Sequence, residues 1–366
     1  MKKKILIFTI IILSSCSYNS EFFVGSKDRD SHLKDGKGEN TSFLGVPSAP
    51  KNISNLTGDI DKDGNLYIND YDRYIRKITP QSNLITLNKE CGYSDKCIYL
   101  DKDNKEGKVY YIQDIFVDKE NTILFNSYSR LIKINKDNKF ELYRNTKNSP
   151  DNLCGIDNED NIYYLSKHGN IELIKEDKNN NTINLLEKYK DKEFLDIFFD
   201  SSYKPSEYRI HYCRLDKNSN NIILYSLGEE EYFDINEFLP NIVGGYKSYL
   251  VSQKTFIIDQ KNNKLTKFPY PTYPIFDSNK NAYFLIRNYP YYLKSERPGL
   301  IVYYALFKAE EKNNYKNPKE IANIQYYGDP AQVRGFTPPL VLDEKRKTIY
   351  VLPLETPQIY KVKINQ

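Results

Sequence analysis

The stretch GDIDKDGNLYIND, residues 58–70, admits two readings. Asp59, Asp61 and Asp63 alternate ahead of Gly64, and Asp70 closes a twelve-residue window. That spacing is close to an EF-hand calcium loop. The same residues also describe two β-strands joined by an Asp-Gly turn, with Leu66, Tyr67 and Ile68 opening the second strand. One reading gives a calcium sensor and the other a piece of all-β scaffold.

Recurrence along the chain decides between them. Residues 56–78 (LTGDIDKDGNLYINDYDRYIRKI), 112–134 (IQDIFVDKENTILFNSYSRLIKI) and 153–174 (LCGIDNEDNIYYLSKHGNIELI) share one plan. An apolar strand ends in Asp61, Asp118 or Asp157. A polar turn follows, then Asn65, Asn121 or Asn161, then a Leu/Ile/Tyr-rich strand, a second polar turn, and a third strand ending in Ile. A fourth strand follows in each unit: NLITL (83–87), KFELY (139–143) and TINLL (182–186). The plan thins later but persists, with Asp200 ending LDIFFD, Asp277 ending YPIFD, and Asp343 ending PLVLD ahead of TIYVLP and QIYKVKI.

The EF-hand reading fails on three counts. The flanking segments are short and rich in β-branched residues and Tyr rather than helical in period. The later units lose the acid at loop position 1, where Phe116 and Gly155 stand, and the window carries Asp70 where the bidentate Glu would stand. The recurring Asp and Asn are turn formers, whose side chains bond nearby backbone N–H groups.

Four strands per unit at roughly 40–55 residues per unit is the signature of a β-propeller, an all-β ring of four-stranded blades that bury their faces on one another. First strands near residues 56, 111, 153, 194, 241, 272 and 338 favour seven blades, with six possible because the fourth and fifth units are hard to separate. TSFLGVP (41–47) is a candidate to close the last blade, whose C-terminal strand lacks a fourth partner.

The run through Asp61, Gly64, Asn65, Tyr67, Asp70, Ile75, Arg76 and Ile78 resembles the NHL-type propeller repeat found in bacterial lyase-like and lactonase-like propellers. The match is good in the first unit, moderate in the next two, and degenerate beyond about residue 190. The resemblance implies a fold far more than an activity.

The chain begins MKKKILIFTIIILSSC. Lys2, Lys3 and Lys4 precede an apolar run, Ile5 to Leu13, that is too short to span a bilayer as a mature helix, so residues 1–15 read as a secretory signal peptide. The Leu13-Ser14-Ser15-Cys16 ending resembles a bacterial lipobox. That resemblance implies diacylglyceryl transfer to Cys16, cleavage before it, acylation of the new amine, and a durable membrane anchor through more than one acyl chain, palmitate among them. Residues 16–40 read as the lipidated cysteine and a flexible tether, although Phe22, Phe23 and Val24 could pack locally. Residues 41–366 read as the propeller domain. Ser17 lacks the Asp of an inner-membrane retention signal, which favours the outer membrane or cell surface of a bacterial envelope.

Loss of the leader's three lysines from 53 basic residues leaves 50 against 49 acidic, a net of +1. No charge excess draws the chain to nucleic acid. Of the remaining cysteines, Cys91 and Cys97 flank a five-residue polar loop and make a plausible small staple. Cys154 and Cys213 lie in expected strands, and their pairing is left open. A zinc site needs more ligands at closer spacing.

Propeller ligands meet the loop face, built from second-to-third-strand loops and blade linkers. Those loops carry Tyr71, Arg73, Tyr128, Arg130, His168, Tyr289, Tyr291, Tyr292 and Arg297 as binding-face candidates. No catalytic residue, metal ligand or cofactor is assigned. His32 falls in the tether and His211 in a strand, leaving His168 as the one loop histidine, and the family's catalytic His pairs have no counterpart here. Ser-His-Asp and Cys-His nucleophile patterns and Gly-rich phosphate loops are absent too. The reading favoured is a membrane-anchored, non-enzymatic binding or scaffolding module of the cell envelope, with an unknown protein or glycan ligand. The alternative is a metal-assisted lyase or lactone hydrolase of the propeller type.

Overall fold

The computed structural model describes residues 20–26, 33–43, 58–70, 73–89, 97–112, 114–135, 137–147, 152–166, 172–189, 211–234, 247–270, 272–288, 301–327, 339–352 and 358–364. Its strands form six sheets, each built on a four-stranded antiparallel meander, and together they make a six-bladed propeller. The chain enters with β1 (Ser20–Gly25), which belongs to the last blade, and β2 (Gly36–Lys37). Blade one is β3 (Gly58–Ile60), β4 (Leu66–Asp70), β5 (Tyr74–Ile78) and β6 (Asn83–Thr86), with β2 added outside β6. A linker hairpin, β7 (Ile98–Leu100) and β8 (Glu106–Lys108), extends the outer edge of blade two. That blade is β9 (Ile115–Val117), β10 (Ile123–Ser127), β11 (Arg130–Ile134) and β12 (Phe140–Asn145). Blade three is β13 (Asn152–Ile156), β14 (Ile162–Ser166), β15 (Glu172–Glu176) and β16 (Thr182–Asn184). Blade four is β17 (His211–Leu215), β18 (Ile222–Asp234), β19 (Lys247–Asp259) and β20 (Lys264–Lys267). Blade five is β21 (Ile275–Phe276), β22 (Ala282–Asn288), β23 (Ile301–Ala309) and β24 (Lys319–Tyr327). Blade six is β25 (Leu340–Asp343), β26 (Thr348–Val351) and β27 (Gln358–Lys363), completed by β1.

The Asp-Gly stretch is a hairpin turn. Asp61 Oδ1 accepts the Asn65 N–H at 2.8 Å, and Oδ2 accepts the Asn65 amide at 2.7 Å and the Tyr67 hydroxyl at 3.0 Å. Asp157 with Asn161 and Tyr163, and Asp277 with Asn281 and Tyr283, repeat that network. The carboxylates are spent on backbone and side-chain donors of their own turns. Gly64 has φ +83°, and a Cβ there would lie 2.2 Å from Arg346 Nη1, so glycine serves both the turn and the neighbouring blade.

Ring closure is visible in the core, which divides into six clusters, one at each blade junction. Tyr67 and Ile75 meet blade two at Ile115 and Phe125. Leu124 meets Leu153 and Tyr164, and Leu165 meets Leu215 and Leu224. Ile257 packs with Phe284, Leu306 with Ile349, and Tyr350 with Leu66 and Ile68. Neither face of a blade can be buried alone, so the ring is the smallest unit that hides this apolar surface.

Two expectations need correcting. Six blades form, not the favoured seven. β18 and β19 are thirteen residues each and pair along their length, so the unit counted from residue 241 is the third strand of blade four; LDIFFD lies outside the described residues. The last blade is closed by Ser20–Gly25, not by 41–47, and the strand lies inside the segment expected to be tether. The reason is burial: Phe23 and Val24 insert between blades six and one. Cys16, expected to carry the lipid, and the rest of residues 1–19 lie outside the described residues.

The remainder of that segment is also held. Arg76, fully buried, pairs with Asp70 at 2.7 Å and Asp35 at 3.3 Å, and donates to the carbonyls of Lys34 and Ser42. Its guanidinium lies 5.3 Å from the Phe43 ring. The repeat's Arg76 therefore pins residues 34–43 to blade one.

Candidate functional site

In each blade the innermost strand (β3, β9, β13, β17, β21 or β25) runs from the loop face to an Asp-headed hairpin turn. At the turn face the blades are tied hand to hand. The Lys62 N–H donates to Asn121, Lys119 to the Asn158 carbonyl, Asn218 to the Phe276 carbonyl and the Ser278 N–H to Glu344. Arg346 closes the series on the Asp63 carbonyl.

Side chains along the channel tie the innermost strands themselves. Asp59 Oδ2 accepts the Val117 N–H at 2.7 Å, Asp114 Oδ2 the Leu153 N–H at 2.9 Å, and Asn152 Oδ1 the Cys213 N–H at 2.8 Å. A disulfide between Cys154 and Cys213 adds a covalent tie between blades three and four. This settles the pairing left open by the sequence. Cys97 is also disulfide-bonded; Cys91 lies outside the described residues, so their pairing stays a proposal.

The six innermost strands surround a central cavity of about 310 Å³. Its wall is apolar where Phe116, Leu153, Ile223, Ile275, Phe276 and Leu340 contribute, and polar at Asp114, Asn152, Tyr212, Arg214, Tyr225 and Tyr273. The three tyrosines form one group: Tyr225 meets Tyr273 edge-on at 5.3 Å and Tyr212 at 6.3 Å. Burial pushes the Tyr225 and Tyr273 phenols well above the ordinary tyrosine range, so both are neutral hydroxyls at physiological pH. Arg214, half-buried, reaches from blade four to the Leu340 carbonyl of blade six at 3.0 Å.

Lys217 crosses the channel at the turn-face end. From the hairpin of blade four it pairs with Asp59 of blade one, directly opposite in the ring, and donates to the Val117 carbonyl. The ion pair bars that end of the channel. Among the described residues, no group of three or more His, Cys, Asp and Glu side chains is gathered to hold a metal ion. Among the described residues, too, no helix is long and apolar enough to cross a membrane.

Of the expected binding-face residues, Arg73, Tyr128 and Arg130 are described, and none of the three lines the cavity. Tyr128 stands exposed on the loop face, edge-on to Tyr110 at 5.7 Å and Tyr111 at 5.8 Å, both exposed too. It sits in the left-handed region at φ 55°, an uncommon conformation for a bulky side chain. Arg130 lies 5.7 Å from the Tyr99 ring. Arg73 packs its backbone into the turn after Asp70. Tyr71, His168, Tyr289, Tyr291, Tyr292 and Arg297 lie outside the described residues. Sequence reasoning passed over the cavity residues because they stand in strands, where it sought loops.

No protein-family model matches this chain, and no curated protein matches it. Among solved structures it is similar to an auxiliary nutrient binding protein from Bacteroides ovatus, at 9% identity and TM-score 0.50, covering 95% of this chain and 78% of the other. It is similar to a protein of unknown function from Bacteroides thetaiotaomicron, at 10% identity and TM-score 0.50, covering 94% and 76%. A gluconolactonase from Xanthomonas campestris aligns at 7% identity and TM-score 0.43, covering 85% and 87%. The two likenesses at TM-score 0.50 bear on fold.

Proposed function

We propose that this chain is a lipid-anchored envelope protein whose propeller binds a glycan or sugar-sized ligand in its central channel, without catalysing a reaction on it. The observation that carries the reading is the composition of the 310 Å³ cavity. Its volume falls within the range of ~300–1,000 Å³ typical of small-ligand sites. Tyrosine rings offer flat apolar faces to the C–H faces of a sugar ring, and their hydroxyls, with Arg214 and Asn152, offer hydrogen bonds at the edges. A protein partner would instead use the exposed loop face. The name of the Bacteroides ovatus protein, a nutrient binder, is compatible with a small ligand. The lyase or lactonase alternative lacks support at Asp59 and Asp114, two of the carboxylates that line the cavity, because both are engaged by backbone N–H groups.

Anchoring through Cys16, passage to the outer membrane or cell surface, and roles for the loop residues Tyr71, Arg73, Tyr128, Arg130, His168, Tyr289, Tyr291, Tyr292 and Arg297 in the approach to the channel belong to the same proposal. Calorimetric titration of the detergent-solubilised full chain against a saccharide panel tests it. Saturable binding that falls at least tenfold in Tyr273→Ala supports the reading. Absence of binding across the panel, or binding indifferent to Tyr273→Ala in a variant that melts cooperatively, overturns it. Fatty-acid labelling that is lost in Cys16→Ala tests the anchor separately.

A further inference from the structure

We infer that the channel ligand carries a carboxylate, as a uronic acid does, and that Arg214 is the group that selects it. The inference rests on the channel-binding reading above and narrows it to one chemical class.

Four other arginines among the described residues have charged or aromatic partners. Arg76 holds two carboxylates, Arg346 pairs with Asp343 at 3.1 Å, Arg144 lies 4.0 Å from Glu176, and Arg130 faces the Tyr99 ring. Arg214 differs. Among the described residues, its hydrogen bond is to the Leu340 carbonyl through Nη1, and no carboxylate lies within ion-pair distance. A guanidinium has five N–H donors in a planar fork, and this bond uses one of them.

The nearby acids are turned elsewhere. Asp114 accepts the Leu153 N–H and, at 3.5 Å, the Asn152 amide. Asp216, the turn residue of the same strand, accepts the Ser219 N–H at 3.1 Å and its hydroxyl. Asp59 is neutralised by Lys217. Asp216 is near enough for its carboxyl to feel the Arg214 charge, but it is not in ion-pair contact. A half-buried arginine with no carboxylate in contact among the described residues, beside neutral tyrosine hydroxyls, is a carboxylate site in waiting. The planar carboxylate matches the fork in a bidentate pair, and the charge-assisted bonds are roughly twice as strong as neutral ones. The tyrosine group supplies the wall against which the attached ring lies. Lys217, already committed to Asp59, does not compete for the anion.

The test titrates the full chain with galacturonate and glucuronate as mono-, di- and trisaccharides, with their methyl esters, and with the matching neutral galactose and glucose saccharides. The inference expects the acid forms to bind at least tenfold tighter than ester or neutral forms. It expects Arg214→Gln to abolish that preference while leaving residual neutral-sugar binding, and Arg214→Lys to restore only part of it. Equal affinity for acid, ester and neutral forms overturns the inference and leaves the channel-binding reading standing. Absence of binding by every saccharide overturns both. The ester comparison is made on the unaltered protein, so it decides the matter even if neither variant folds.

Discussion

The disulfide between Cys154 and Cys213 links consecutive blades across a sequence separation of 59 residues. Closing a loop of that length removes about 14 cal/mol/K from the unfolded chain, about 4 kcal/mol at 25 °C in the chain-entropy account. An entropy of unfolding near 2.1 cal/mol/K per residue, over 366 residues, converts this to a fall in Tm of about 5 °C. The perturbation is the double variant Cys154→Ala/Cys213→Ala, melted by circular dichroism with and without a phosphine reductant. Loss of two buried sulfur atoms adds a packing cost that the variant alone cannot separate from the cross-link. Reduction of the natural protein removes the cross-link without removing the sulfurs. It also opens the disulfide at Cys97, whose contribution is read from reducing the double variant. The difference between the two reductant-induced shifts therefore isolates the Cys154–Cys213 bond. A difference of about 5 °C is expected. Equal shifts in the two proteins would refute the reasoning, because the ring would then gain nothing from the link between blades three and four.

Three further outcomes are expected. Asp70→Ala strands the fully buried Arg76 guanidinium with a weaker partner and should cost about 3–5 kcal/mol in denaturant unfolding, whereas replacing Arg76 and Asp70 together by leucines should cost much less. Gly64→Ala places a Cβ against Arg346 and forces a left-handed φ on alanine, so a loss of about 1–2 kcal/mol should appear in the urea midpoint, smaller in an Arg346→Ala background. Burial pushes the Asp157 carboxyl up, but hydrogen bonds from Asn161, Tyr163 and Glu159 outweigh it and hold the carboxyl below the ordinary aspartate value. Its stabilising contribution is therefore complete above about pH 4, where the unfolded carboxyl has ionised, and disappears as pH falls through the lower folded value; Asp157→Asn should flatten the acid limb of stability against pH, and an unchanged limb would count against the turn network.

The repeat was legible because the fold imposes it. Asp61, Asp118, Asp157 and Asp277 each accept the backbone N–H four residues on, so the requirement shows in the letters of each unit. The residue before each turn aspartate (Ile60, Val117, Ile156, Leu215, Phe276 or Leu342) packs on a neighbouring blade and stays apolar for that reason. Blade number was harder because strand length is not fixed by the repeat. Long β18 and β19 carry enough apolar alternation for two units, and only their pairing with each other shows that they are one. The closing strand hid in a polar neighbourhood, and its signal was the pair Phe23 and Val24. The disulfide had a signal too. Cys154 and Cys213 each stand three residues before a turn aspartate, which makes them equivalent positions of neighbouring innermost strands once blade four is counted as one.

The candidate site was hard to read for the opposite reason: it lies where the repeat is broken. Two residues before the turn aspartate, Phe116, Ile275 and Val341 are apolar, while Arg214 is charged and reaches across the channel. Asp59, the other charged residue at that position, is answered from the opposite blade by Lys217. Four residues before the turn stand Asp114, Tyr212 and Tyr273, none of which the meander requires. A ring of near-equivalent blades has no preferred direction across its channel. Specific recognition needs groups that differ from blade to blade, so a ligand site is assembled from exceptions to the pattern that identifies the fold. Each exception reads as noise in a single unit, and they become a site only when the ring brings them around one axis. Arg214 stands out among them because a charge costs free energy in a partly desolvated channel, and among the described residues no carboxylate stands in ion-pair contact to offset that cost.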